Sequence, residues 1–146
     1  MIPPRPDGCS CHGLRKATRH LNQHYDRHLA PSGLNIGQYA LLSTLARRGP
    51  IAPGAFAEVM AMDRTTMGRN LQPLEREGLV AITVDPTDRR GRLVSLTAEG
   101  QARLVAARPL WSAAQTAFET SFGMDQAQAL RTLLAELIAT DLIPAP

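Results

Sequence analysis

The chain has 146 residues and a mass of 15.8 kDa, with 44% hydrophobic and 20% charged residues and a mean hydropathy of −0.15, which suits one compact domain and excludes a chain disordered by composition. No run approaches the ~18 consecutive apolar residues of a membrane span, the Pro-rich residues 1–8 hold no apolar stretch for a signal peptide, and Cys9 and Cys11 lie too close together to staple a secreted scaffold. Net charge is +3 with a sequence pI near 9.4, a bias towards polyanions that proves nothing alone, and the expectation is a soluble cytoplasmic protein that makes no membrane contact.

Over residues 13–29, Leu14, Ala17, Leu21, Tyr25 and Leu29 recur at three- and four-residue steps, the face of an amphipathic helix, and Pro31, Ser32 and Gly33 end it. A second helix over 36–46 puts Tyr39, Leu42 and Leu45 on one face, closed by Arg47, Arg48, Gly49 and Pro50. Residues 53–60 form a short helix with Pro in its first turn and Phe56, Ala57 and Met60 inward. After the turn of Ala61, Met62 and Asp63 comes a longer helix, capped by Asp63, striped by Met67, Leu71 and Leu74 and ended near Gly78. Two helices joined by so short a turn form a helix-turn-helix. Pro73 inside the second of them cannot donate to the Arg69 carbonyl, so a kink or a loosened turn is expected there.

Residues 79–84 and 93–96 are β-rich runs around the polar stretch 85–92, a hairpin with a charged tip. Thr97 then caps a long helix in which Leu104, Ala107, Trp111, Ala114 and Phe118 make a coiled-coil-like seam, either intramolecular core or an interface between chains. Gly123 breaks it, and Asp125 caps a last helix carrying Leu130, Leu133, Leu134, Leu137 and Ile138. The fold class is mostly α with a small β-hairpin wing (α+β), in the element order of a winged helix-turn-helix.

In that arrangement the second helix of the pair can lie in a major groove while the hairpin tip reaches a neighbouring groove. The exposed positions of the reading helix are Arg64, Thr65, Thr66, Arg69 and Asn70. Arg pairs bidentately with guanine, Asn with adenine, and Thr meets thymine methyls or phosphates. At the wing, Arg89 and Arg90 suit phosphate contact or a narrow minor groove, and Asp88 beside them suits an ion pair that orients one arginine. Fifteen of the sixteen basic residues are Arg, and residues 1–48 hold seven basic and two acidic side chains, so the positive charge lies early in the chain. Arg favours bidentate phosphate and guanine contacts over Lys, although a GC-rich genome would give the same bias.

The chain here resembles the MarR family of winged-helix transcriptional regulators. The resemblance is carried by the run from Met62 through Asp63, Arg64, Thr65 and Thr66, by Leu71, and by the segment Leu74, Glu75, Arg76, Glu77, Gly78, Leu79, Val80. Above all it is carried by the wing, Asp85, Pro86, Thr87, Asp88, Arg89, Arg90, Gly91, Arg92, Leu93, Val94, Ser95, Leu96, Thr97, followed by Glu99 and Gly100. It spans roughly residues 14–139 and implies a homodimer whose first and last helices intertwine, binding a near-palindromic double-stranded DNA operator and usually repressing genes. The family's recognition contacts fall on Thr65, Thr66, Arg69 and Asn70 and its wing arginine on Arg90. The implied organisation is an N-terminal arm over 1–12, dimerisation and scaffold helices over 13–48, a DNA-binding lobe over 49–97 and C-terminal dimerisation helices over 98–146. The family order assigns the Leu104 to Phe118 seam to the dimer interface, shared with the last helix.

What such a regulator senses stays open in the sequence. Both cysteines and all four histidines, Cys9, Cys11, His12, His20, His24 and His28, lie within twenty residues. Thiolate and imidazole suit Zn, Cu(I) or arsenite, making Cys9, Cys11 and His12 a candidate metal or metalloid set. A thiol at a helix start near Arg15 and Lys16 is equally a candidate redox sensor, oxidised to a sulfenate or an intersubunit disulfide. The plainer reading leaves the cysteines idle and places an aromatic or phenolic ligand in a pocket between the dimer helices and the DNA-binding lobe. No cofactor is implied, and without a Gly-rich phosphate loop, a His-Glu-x-x-His run or a Ser-centred elbow the chain is not expected to be an enzyme. A helical dimerisation module would explain the seam but leave the arginine-rich wing unused.

Overall fold

The computed structural model describes residues 8–144. Eight elements follow in chain order: α1 (Ser10–Leu29), α2 (Ile36–Arg48), α3 (Pro53–Val59), α4 (Arg64–Arg76), β1 (Val80–Asp85), β2 (Asp88–Leu96), α5 (Ala98–Phe122) and α6 (Met124–Ala139), with a single 3-10 turn at Ala30–Ser32. None of the helices described is long and apolar enough to cross a membrane.

Local chemistry sets most boundaries. Asn35 and Gln38 form a reciprocal capping box at the start of α2. Asp63 accepts from Thr66 N at 2.7 Å at the start of α4, and Thr97 Oγ1 from Gly100 N at 2.9 Å at the start of α5. Gly78, with φ +74°, turns the chain out of α4, where a side chain would be strained. Two expectations are corrected. The first helix starts at Ser10 rather than at residue 13, because Cys9 itself occupies the capping position. Asp125 does not cap α6: it lies in the first turn, and Gly123 with φ +105° is the capping residue and makes no side-chain bond.

The two strands pair antiparallel from Val80 with Leu96 to Val84 with Arg92, and then the register jumps to Asp85 with Asp88. Arg89, Arg90 and Gly91 are therefore a bulge on β2, and the hairpin turns at Pro86 and Thr87. Within the expected charged tip over 85–92, Asp85, Asp88 and Arg92 are thus paired, and the rest is turn or bulge. Ile51, just before α3, adds a bridge to Val94, exchanging bonds of 3.0 and 2.8 Å, which ties the wing to the helix-turn-helix.

One core runs through both ends of the fold: Leu29, Leu42, Leu45, Phe56, Leu74, Leu79, Val94 and Leu104 are all fully buried. The α5 seam belongs to this core. Leu104, Ala107 and Ala114 are buried inside the protomer, and Trp111 stacks on Tyr39 at 5.8 Å between ring centroids. Helices α1 and α2 pack on that buried part of the seam within the protomer, while Trp111 and Phe118 stay half-buried. Helix α6 is different: of its residues only Ala127 is buried, while Leu133, Leu137 and Ile138 are 63%, 45% and 79% exposed.

Candidate nucleic-acid interface

Helix α4 buries Met67, Leu71 and Leu74 and so presents the opposite side to solvent. At 100° per residue that outward ridge consists of Thr65, Arg69, Gln72 and Arg76, all exposed. Gln72 and Arg76 are not among the positions singled out from the sequence: the break expected at Pro73 accounts for Arg76, while Gln72 lies before it and was passed over. The helix in fact continues through Pro73 to Arg76, and Glu77 N bonds the Pro73 carbonyl at 3.0 Å. The period of the stripe was the available signal.

The other candidates stand on the flanks of the ridge. Thr66 is half-buried, with its hydroxyl 3.0 Å from Asp63 Oδ2, so it completes the cap. Those two bonds from Thr66, the backbone one first, hold the Asp63 carboxyl below the usual carboxylate range. Asn70 Nδ2 donates to the Thr66 carbonyl at 2.8 Å and must swing away from it before reading a base. Arg64 leans the other way, over α3. A Cβ added to Gly54 would stand 2.8 Å from Arg64 Nη2 and 3.2 Å from its Cζ and Nε.

At the wing, Asp85 Oδ1 accepts from Thr87 N at 2.9 Å and from its hydroxyl at 2.7 Å, which closes the turn and lowers the Asp85 pKa. Asp88 Oδ1 accepts from Arg90 N at 3.0 Å and lies 3.7 Å from Arg90 Nε. The Arg90 side chain is 95% exposed even so, an unburied cation at the end of a ribbon. Arg89 is exposed on the same bulge. Together α4 and the wing form two projecting polar surfaces rich in guanidinium groups, able to pair with phosphates or guanine edges.

The cysteine and histidine cluster is spread out by the helix. Cys9 Sγ accepts from His12 N at 3.4 Å as the cap of α1, and Cys11 is exposed in the first turn. Successive side chains of a helix diverge by about 100°, and among the described residues no group of three or more His, Cys, Asp or Glu could hold a metal ion. Cys9, Cys11 and His12 are therefore not brought together as a ligand set. His24 Nε2 donates to the Ala114 carbonyl at 2.8 Å and His28 Nδ1 to the His24 carbonyl at 2.9 Å, while His20 is exposed. Next to them the Tyr25 hydroxyl donates to Gln115, Gln115 Nε2 donates to Glu119 at 2.9 Å, and Arg131 bonds Glu119 at 3.0 Å. This chain links α1, α5 and α6, and burial followed by the Glu119 charge raises the Tyr25 pKa. A cleft of about 360 Å³ lies where the end of α2 meets the base of the wing and the start of α5, lined by Leu45, Pro50, Leu96, Thr97 and Gln101 among others.

A model of the MarR family matches residues 32–91. The transcriptional regulator HosA of Escherichia coli O111:H- is 35% identical over 100 residues, covering 65% of this chain and 74% of HosA. Among solved structures, the Mycobacterium tuberculosis transcriptional regulator MosR in complex with DNA is 34% identical with a TM-score of 0.74, covering 90% of this chain and 99% of that one. A probable transcriptional regulator from Pseudomonas aeruginosa is 28% identical with a TM-score of 0.82, covering 91% and 99% respectively.

Proposed function

The chain belongs to the MarR family of DNA-binding transcriptional regulators, and from that premise we propose that it acts as a homodimeric repressor on a near-palindromic operator. It is a regulator and not an enzyme. The observation that carries the proposal is the exposed ridge of α4, Thr65 and Arg69 foremost, standing beside a bulged wing with Arg90 at its end. Each protomer places that ridge in a major groove, with half-sites about one helical turn apart. Arg64, Thr66, Asn70 and Arg89 flank the contact, and Asp88 steers Arg90 towards the backbone or minor groove. The exposed apolar face of α6 supports pairing with a second copy.

Release follows from a change in the spacing of the two reading heads, driven by whatever binds one spacing better. Two sources are retained. The cleft at the junction of the lobes has room for a small aromatic ligand, and the exposed thiols of Cys9 and Cys11 are open to a peroxide, which would give a sulfenate and water.

Gel-shift titration against the DNA upstream of its own gene, at two salt concentrations, tests the whole reading. Reduced protein is expected to bind with an affinity that falls steeply with salt, and the absence of any specific shift would sink the proposal. Release of DNA by peroxide-treated protein, abolished by Cys9→Ser or Cys11→Ser, would assign the switch to the thiols. If oxidised and reduced forms bind alike, the thiols are not the switch and the cleft is left. In the same assay Arg90→Ala weakens all duplexes alike, whereas Asn70→Ala costs about 1 to 3 kcal/mol at one base position only. Equal loss on every operator variant would remove Asn70 from base reading.

A further inference from the structure

We propose that Gly54 is a seat for the Arg64 guanidinium, and that Arg64 held there grips a DNA phosphate while the ridge of Thr65 and Arg69 reads the bases. The inference rests on the reading of α4 as the DNA-reading helix. Gly54 is the second residue of the seven-residue helix α3, where glycine is a poorer helix former than alanine. Its backbone does not call for glycine, since its φ is not among the positive ones. What it does provide is space. The place a Cβ would take lies 2.8 to 3.2 Å from the Nη2, Cζ and Nε atoms of Arg64, so the guanidinium lies on the bare glycine.

Position on α4 assigns the role. Arg64 precedes Thr65 by one residue and so lies about 100° round the helix, on the flank facing α3 rather than on the outward ridge. In a helix-turn-helix the first helix crosses the sugar-phosphate backbone while the second enters the groove. A cation resting on the first helix therefore faces a phosphate, and base edges are left to its neighbours. Holding the long side chain in place beforehand also reduces the rotamer entropy lost on binding.

The test measures binding of the unmodified protein, Gly54→Ala, Arg64→Ala and the double variant to the upstream duplex and to an unrelated duplex of equal length, by fluorescence anisotropy across a salt series. Each single variant is expected to weaken both duplexes to a similar extent, roughly tenfold, and to reduce the salt slope by about 1. The double variant should bind no more weakly than Arg64→Ala alone. Gly54→Ala should melt no lower than the unmodified protein, because alanine favours the helix. Unchanged binding by Gly54→Ala, multiplied losses in the double variant, or an Arg64→Ala defect confined to the upstream duplex would each overturn the seat. If the unmodified protein binds neither duplex, the DNA-interface reading falls and takes the seat with it.

Discussion

Gly100→Ala is expected to destabilise the fold by about 3 kcal/mol or more, the upper end for overpacking a filled site. The added Cβ would stand 2.0 Å from the Leu79 carbonyl oxygen and 2.7 Å from Leu96 Cδ1. Leu96 can rotate, but the Leu79 carbonyl cannot. It already accepts from Thr97 N at 3.1 Å, and the Thr97 hydroxyl bonds the Gly78 carbonyl at 2.6 Å while accepting from Gly100 N. Relief requires the first turn of α5 to lift off the wing, opening the core between Leu79 and Leu104. The thermal midpoint should fall by roughly 10 °C. Gly68→Ala is the control: nothing lies within 4 Å of its added Cβ, and the change should be neutral or stabilising by up to about 1 kcal/mol. If Gly100→Ala melts within about 2 °C of the unmodified chain, the joint between wing and α5 is softer than the geometry requires.

The second large effect is expected from Leu133→Asp combined with Ile138→Asp. These side chains are 63% and 79% exposed and contribute little to the protomer itself, so circular dichroism should stay unchanged. Burying two such aliphatic groups between copies supplies about 3 to 6 kcal/mol, and the substitution adds two carboxylates that would have to be desolvated. The dimer constant should weaken by a factor of at least ~10³. Light scattering is then expected to give a monomer, and operator affinity to collapse because two half-sites are no longer read together. A double variant that remains dimeric and binds the upstream DNA normally would show that α6 is not the pairing face.

Much of this was legible because it is local. Asp63, Thr97 and Gly78 announce helix ends through bonds and dihedrals that span three or four residues, and the stripe of Met67, Leu71 and Leu74 needs nothing beyond α4 itself. Family membership was legible for a similar reason, since the wing run from Asp85 to Thr97 is contiguous. Errors arose where a local rule met a competitor. Pro73 removes one donor, yet packing of Leu71 and Leu74 on either side keeps the helix whole. Asp125 has the chemistry of a cap, but Gly123 takes the capping place two residues earlier. The apolar period of α1 begins only at Leu14, so the turn before it, from Ser10 with the Cys9 sulfur as its cap, carries no hydrophobic signal.

Sequence alone determined the helical periods, the turn residues and the arginine-tipped hairpin, because each depends on neighbours within a few positions. Tertiary structure decided which apolar stripe faces which partner. A heptad seam has the same pattern in a core as at an interface, and only the packing of α1 and α2 against α5 shows that Leu104, Ala107 and Ala114 are internal while Leu133 and Ile138 are not. It also decided the role of two glycines. Gly54 and Gly100 have no unusual dihedral to mark them, and what an added Cβ would meet, the flexible Arg64 guanidinium at the first and the fixed Leu79 carbonyl at the second, only folding brings against them.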